Sequence, residues 1–282
     1  ARGMRVTGSE IVGLIPRTAL LAAGDYYLRK QGKTAGVPEA DRIGAAVLSL
    51  GLDELGPFDP TEKVVEYRYG GTPTVLRDMA LHQFADELAT DSPAPGGGSV
   101  AALCGALAGS LTAMVAALSF AKKGFEDRRP DLEALGIKAQ ASKDWFLEAV
   151  DRDTAAFDAV IAAVRLPKKT DADVAAREAA MTEANYAATV VPLEVLERTV
   201  PVLELALDVA RSGNPNSVSD AGVAGACAVA AATGASLNVR INLANLEAEQ
   251  TEPLVIRHDE ALRRAGELGN QVAAAVDEVL DD

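Results

Sequence analysis

One acid in the chain stands out by its neighbours. Phe146, Val150, Asp153, Phe157, Val160 and Val164 recur at intervals of four, three, four, three and four, which is the spacing of a single seam along an α-helix. Asp153 is the only charged member of that seam. Asp151 faces elsewhere, because residues two apart lie about 200° around a helix. A carboxylate among apolar side chains loses hydration, so its pKa rises and it becomes suited to proton transfer near neutral pH. The plain alternative is a structural aspartate paired with a distant lysine or arginine. Asp153 is the strongest catalytic candidate that the sequence offers.

Four polar clusters could bind a substrate beside it. Gly96, Gly97, Gly98 and Ser99 form a glycine-rich turn before a long uncharged stretch. Backbone N–H groups there could meet a carboxylate at a positive helix end, or Ser99 could act only as an N-cap. Lys168 follows the helix-stopping Pro167; it either complements a helix C-terminus or meets an anion. Asn214, Asn216, Ser219 and Asp220 crowd a loop whose short side chains suit capping, and equally suit a heterocycle rich in donors and acceptors. Asn238 and Arg240 come next; Arg240 could clamp a carboxylate bidentately or pair with one of 41 acidic residues. His82 and His258 are isolated, in segments that read as solvated helices, and form neither a zinc site nor a Ser-His-Asp triad. No metal is expected. Cys104 and Cys227 sit in small-residue apolar runs and read as reduced core residues of a cytoplasmic protein.

The elements that must position these groups are helices. From Val75 onward the periodicity gives helices near Val75–Ala89, Ser99–Lys122, Asp131–Val164, Asp171–Thr199, Val202–Arg211, Ser219–Thr233 and Pro253–Val279. Breaks are expected at Pro93–Gly98, Pro130, Leu166–Pro167, Gly213–Pro215 and Gly234, with a kink or break near Val191 from Pro192. Long helices and short loops imply an all-α antiparallel bundle. The opening reads differently. Gly8–Pro16 suits a strand or a strand-to-helix turn, helices follow at Thr18–Arg29 and Glu39–Leu50, and Gly51 is a stop signal. Pro57–Pro60 and Gly70–Pro73 punctuate a linker. The resulting division is a small truncated α/β segment at 1–60, a linker at 61–75 and a helical domain at 76–282.

Composition narrows the function. Apolar residues make up 49% and aromatics only 4%, so helices packed closely through small side chains are expected. A formal charge of −14 argues against tracking nucleic-acid phosphates. Ser99–Ala121 carries no charge and is long enough to span a membrane, yet its Ala, Gly, Ser and Thr content favours a buried soluble helix.

Five segments in order carry a resemblance: SPAPGGGSVAA (92–102), VDRDTAAF (150–157), LPK (166–168), GNPNSVSDAGVAG (213–225) and GASLNVRINL (234–243). From about Leu76 to the C-terminus they resemble the cyclodeaminase part of the formiminotransferase-cyclodeaminase family. GSEIVGLIP (8–16) and GLDELGPFDP (51–60) are similar to the end of the formiminotransferase module and its linker. The resemblance implies an all-helical bundle of the cyclodeaminase/methenyltetrahydrofolate cyclohydrolase type, dimeric, with its site near the subunit interface. It implies an ammonia lyase that closes 5-formimidoyltetrahydrofolate to 5,10-methenyltetrahydrofolate in histidine degradation and one-carbon metabolism, with Asp153 in the family's catalytic position. The folate, polyglutamylated or not, is the only ligand expected; a formiminotransferase partner or further domain would complete the bifunctional pattern, and no transferase activity is expected of this chain itself. The competing readings are a methenyltetrahydrofolate cyclohydrolase and a non-catalytic helical assembly module. KKGFEDRRP (122–130) has no family role, although its basic residues could meet a polyglutamate tail.

Overall fold

The structure is a computed structural model and describes residues 8–31, 39–68 and 76–281. The expected linker segment Gly70–Pro73 lies outside the described residues. The chain divides into two compact units, Ala1–Pro93 and Ala94–Asp282.

The first unit contains α1 (Arg17–Lys30), α2 (Glu39–Leu50), two short helices, α3 (Pro60–Lys63) and α4 (Val65–Arg68), and α5 (Leu81–Leu88). Leu20, Ile43, Ala46, Leu52 and Val64 make its core. Gly51 ends α2 with a φ of 64°, a backbone angle that side chains with a Cβ resist. The expected α/β character is not there: among the described residues no strand forms, and extended pairing is limited to one parallel bridge, Ile15 to Val64. Ile15 donates its N–H to Lys63 C=O at 2.9 Å and accepts from Val65 N–H at 3.1 Å. The ladder cannot grow, because Gly13 has a φ of 100° and Pro16 has no N–H to give. The helix expected at Val75–Ala89 is also divided. A 3₁₀ turn at Leu76–Asp78 precedes α5, and Gln83 Oε1 accepts the Ala80 N–H at 3.0 Å where the new helix starts.

The second unit is an antiparallel bundle of α6 (Gly97–Ala121), α7 (Arg129–Val164), α8 (Asp171–Ser212), α9 (Val218–Leu243) and α10 (Ala248–Asp281). α6 packs on α7, α8 and α9, and its buried face is built from Gly, Ala, Ser and Thr with a single valine. That smallness sets the helix separation. A Cβ on Gly105 would lie 2.5 Å from the Phe146 ring, so the ring rests directly on the α6 backbone. By length and composition both α6 and α9 could cross a membrane, but 56% of α6's most apolar window is buried inside the bundle, so protein surrounds most of it.

Of the expected interruptions, the break at Pro192, the gap between Thr199 and Val202 and the break at Gly234 are absent. α8 runs unbroken through Pro192 and Pro201, and α9 runs through Gly234. Val191, Pro192 and Leu193 are all buried, and Gly234 lies against Ala101. Tertiary packing on neighbouring helices outweighs the local cost of a proline or glycine.

Candidate active site

The first turn of α6 carries the glycine cluster. Gly96 is the N-cap and makes no side-chain cap, which removes the alternative that Ser99 caps the helix. Ser99 is instead the third helical residue, fully buried, with its hydroxyl turned onto α7. Its Oγ lies 3.0 Å from Val150 C=O and 3.1 Å from Asp153 Oδ2 as donor, and 3.3 Å from Thr154 Oγ1. Gly98 supplies the seat for the acid. A Cβ there would stand 2.0 Å from Asp153 Oδ1 and 2.6 Å from Oδ2, so the carboxylate lies flat on bare backbone at the positive end of α6.

Burial pushes the Asp153 carboxyl above the ordinary aspartate range, and hydrogen bonds from the Ser99 hydroxyl and backbone pull it part of the way back. The seam explains how a buried acid stays reachable. Phe146 and Val150 are buried, Asp153, Phe157 and Val160 are half-buried, and Val164 is exposed. Asp153 therefore sits where the seam passes from core to surface.

α9 reaches the same end of the bundle. A Cβ on Gly97 would come within 3.5 Å of Asn238 Nδ2, while that amide donates to Gly234 C=O at 2.9 Å. Arg240, just beyond, is exposed. Gly96, Gly97, Gly98, Ser99, Asp153 and Asn238 are thus gathered, whereas Arg240, two residues after Asn238, lies about 200° around α9. The other expected binding residues are not brought to Asp153 within the chain. Lys168 lies in the exposed turn after α7, and Asp153 to Val164 alone is about 16 Å of helix. The 213–220 loop sits at the far end of α6. Asn214 N–H donates to Ser119 Oγ at 2.7 Å, and its Oδ1 accepts from Lys122 Nζ at 2.6 Å and from Asn216 N–H at 3.1 Å. Ser219 and Asp220 begin α9 there. Ser99 and Ser119 are about 30 Å apart along α6.

Some residues escaped the sequence reading. Thr154 shares the Ser99 hydroxyl, and nothing in its spacing marks it. His258, expected on a solvated face, is 5% exposed. Its Nε2 lies 2.7 Å from Ser236 Oγ and its Nδ1 2.8 Å from Asp259 Oδ1. The series has the order of a catalytic triad, but Ser236 is 4% exposed, and a nucleophile sealed between α9 and α10 packs helices rather than attacks substrate. Cys104 and Cys227 are free and half-buried, less enclosed than expected. A cavity of ≈ 570 Å³ between α6 and α7, lined by Phe120, Leu132, Ile137 and Gln140 among others, does not include Asp153.

Comparison with known proteins gives this geometry a family. Residues 80–256 match the formiminotransferase-cyclodeaminase family, and residues 1–69 match the formiminotransferase domain. A formimidoyltransferase-cyclodeaminase from Rattus norvegicus is 36% identical over 243 residues, 86% of this chain and 45% of that protein. A methenyltetrahydrofolate cyclohydrolase from Methylorubrum extorquens is 40% identical over 167 residues, 59% of this chain and 80% of that protein. The chain spans just under half the length of its bifunctional relatives. The crystal structure of a formiminotetrahydrofolate cyclodeaminase from Thermotoga maritima superposes with a TM-score of 0.66 at 24% identity, covering 73% of this chain and 99% of that one, which fixes the all-α architecture. The chain belongs to the formiminotransferase-cyclodeaminase family.

Proposed function

We propose that the protein is a formimidoyltetrahydrofolate cyclodeaminase with Asp153 as its proton-transfer group. The observation that carries this reading is the Asp153 carboxylate seated on Gly98 and hydrogen-bonded by Ser99, raised above its ordinary pKa by burial. Folate N10 attacks the carbon of the formimino group held on N5, whose nitrogen is protonated as CH=NH₂⁺, and Asp153 takes the N10 proton. The tetrahedral carbon then carries an NH₂ group, which leaves only when protonated. The protonated Asp153 delivers that proton, ammonia departs, and the N5–C–N10 bridge remains as the methenyl cation. The rest of the site holds N5 and N10 in closing geometry and keeps out water, which would hydrolyse the product.

A cyclohydrolase would add water to the same cation, and the 40% identical relative favours weighing that reading. The match of residues 1–69 to a formiminotransferase domain favours the deaminase. Supplied with 5-formimidoyltetrahydrofolate, the protein should raise methenyl absorbance and release ammonia; consumption of supplied methenyltetrahydrofolate alone would select the hydrolase. Asp153→Asn should lower ammonia release by about 10²–10⁴-fold while remaining folded. Because the folded-state pKa is raised, the carboxyl's stabilising effect is complete below the unfolded pKa and is lost as pH rises through the folded one. The neutral Asp153→Asn variant should therefore melt no lower than the wild type at pH 7. Full turnover in this variant would end the mechanism.

We also propose a two-fold dimer that completes the site. Along α9 the exposed positions Ser219, Val223, Ala226, Ala230, Thr233, Leu237 and Ile241 form one stripe, apolar except at Ser219 and Thr233. Two copies crossing antiparallel at Ala230 would set Val223 against Leu237, and Asp220 level with Arg240. The partner's 213–220 loop would then stand at the Asp153 end, bringing the separated motifs together. Lys168, Asn214, Asn216, Ser219, Asp220, Asn238 and Arg240 are proposed as binding groups for the folate in that assembly. The free thiols fit a reducing compartment, and the cytoplasm is the location we propose.

A further inference from the structure

Two carbonyls of α8 lose their helical donors to interior prolines, Glu197 at Pro201 and Ala188 at Pro192, and the second is met from outside the helix. Pro192 has no N–H, so Ala188 C=O, four residues earlier, receives no intrahelical hydrogen bond from it. Pro192 is buried and Ala188 half-buried, and an unmet acceptor in such a place is costly. The structure fills the gap from another helix: Asn242 Nδ2 on α9 donates to Ala188 C=O at 2.7 Å.

The bond lies toward the same end of the bundle as the catalytic candidate and closes a ring of helix contacts. Gly98 and Ser99 join α6 to Asp153 on α7. Arg152, the residue before Asp153, joins α7 to Glu194 on α8 at 2.5 Å. Ala188 and Asn242 join α8 to α9. Asn238, one turn before Asn242, faces Gly97, its amide 3.5 Å from where a Cβ would stand, and returns the ring to α6. Of these links, the α8–α9 bond exists only because a side chain stands in for an absent backbone group.

We infer that Asn242 is a positioning residue for the Asp153 site, substituting for the donor missing at Pro192 and so holding the last turns of α9 against the glycine turn. This inference rests on the reading of Asp153 as the proton-transfer group. Without the bond, Ala188 C=O must find water, and α9 must part from α8 to admit it. Asn238 would move with α9 and release Gly97, the neighbour of the Gly98 seat. Displacement of about 1 Å at a reacting group can cost on the order of 10²-fold in rate.

A double-mutant cycle tests the inference. Asn242→Leu keeps the bulk and removes the donor, whereas Pro192→Ala restores the N–H that Ala188 C=O lacks. In Asn242→Leu, kcat for ammonia release should fall by about tenfold or more with KM within about twofold of wild type. In the double variant kcat should return to within about threefold of Pro192→Ala alone. The Asp153 carboxyl titration, followed by carbon NMR, should shift in Asn242→Leu and recover in the double variant. A lowered melting temperature with kcat and titration unchanged would reduce Asn242 to a packing residue and overturn the inference. Failure of Pro192→Ala to rescue would overturn the link to the proline. Should Asn242→Leu alone not fold, Asn242→Ser, whose hydroxyl is too short to reach, takes its place in the same cycle. If the wild type does not release ammonia, the functional reading fails, and the Asp153 titration across the four proteins still decides the positioning role.

Discussion

The Ser99 hydroxyl has one hydrogen to give and three oxygens within reach: Val150 C=O, Asp153 Oδ2 and Thr154 Oγ1. When Asp153 is ionised, the hydrogen has a charged acceptor, the stronger partner. That bond favours the ionised form and opposes the burial that raises the pKa. Ser99→Ala removes it, so the Asp153 pKa should climb further. In the proposed mechanism Asp153 is ionised when it accepts the N10 proton, and the acid limb of the kcat/KM profile should therefore move to higher pH. A profile measured across the acid range checks this, and an unmoved limb would separate Ser99 from the proton path. At this scale the sequence was informative about Asp153, because a lone acid in an apolar seam needs only helical periodicity to be recognised. It was uninformative about Ser99 and Thr154. The direction of a third-position serine depends on which helix lies beside it, and that contact joins residues more than fifty positions apart.

The helices follow from periodicity where their sequence context is local. α2 has the expected bounds, and α7 ends at Val164 before Pro167 as its stop signal implies. Expectations failed where packing overrides local preference, as at Pro192, Pro201 and Gly234, or where a strand needs a partner the segment cannot extend, as at Ile15. The close contact between α6 and α7 was legible only in part. Its small residues are plain in the sequence, but the pairing of Gly105 with Phe146 is a matter of register. Phe146 is 1% exposed with its ring on Gly105, so Phe146→Ala opens a void that flanking backbone cannot fill. Urea unfolding should show a loss of about 3–5 kcal/mol. A loss under about 1 kcal/mol, on the order of an exposed substitution, would mean the two helices close over the gap.

Seen whole, the bundle separates the motifs that the sequence presents as one set. The glycine turn, Asp153 and Asn238 occupy one end, and the 213–220 loop the other. The two-fold pairing proposed across α9 makes a sharp demand on mixed assemblies. Chains carrying Asp153→Asn and chains carrying Asn216→Ala should each be inactive alone. Unfolded together and refolded, half of the dimers should hold one intact site, so about a quarter of wild-type ammonia release should reappear. An active Asn216→Ala homodimer, or a mixture that stays silent, would place the whole site within a single chain. The stripe on α9 has a further meaning for growth. In the proposed dimer the two-fold axis at Ala230 sets Val223 of each copy against Leu237 of the other, and a patch that pairs with itself is used up when two copies meet. Nothing of it would remain to recruit a third, so the proposed contact would terminate instead of propagating, and chains whose central helices are almost free of charge would be spared from stacking into fibres.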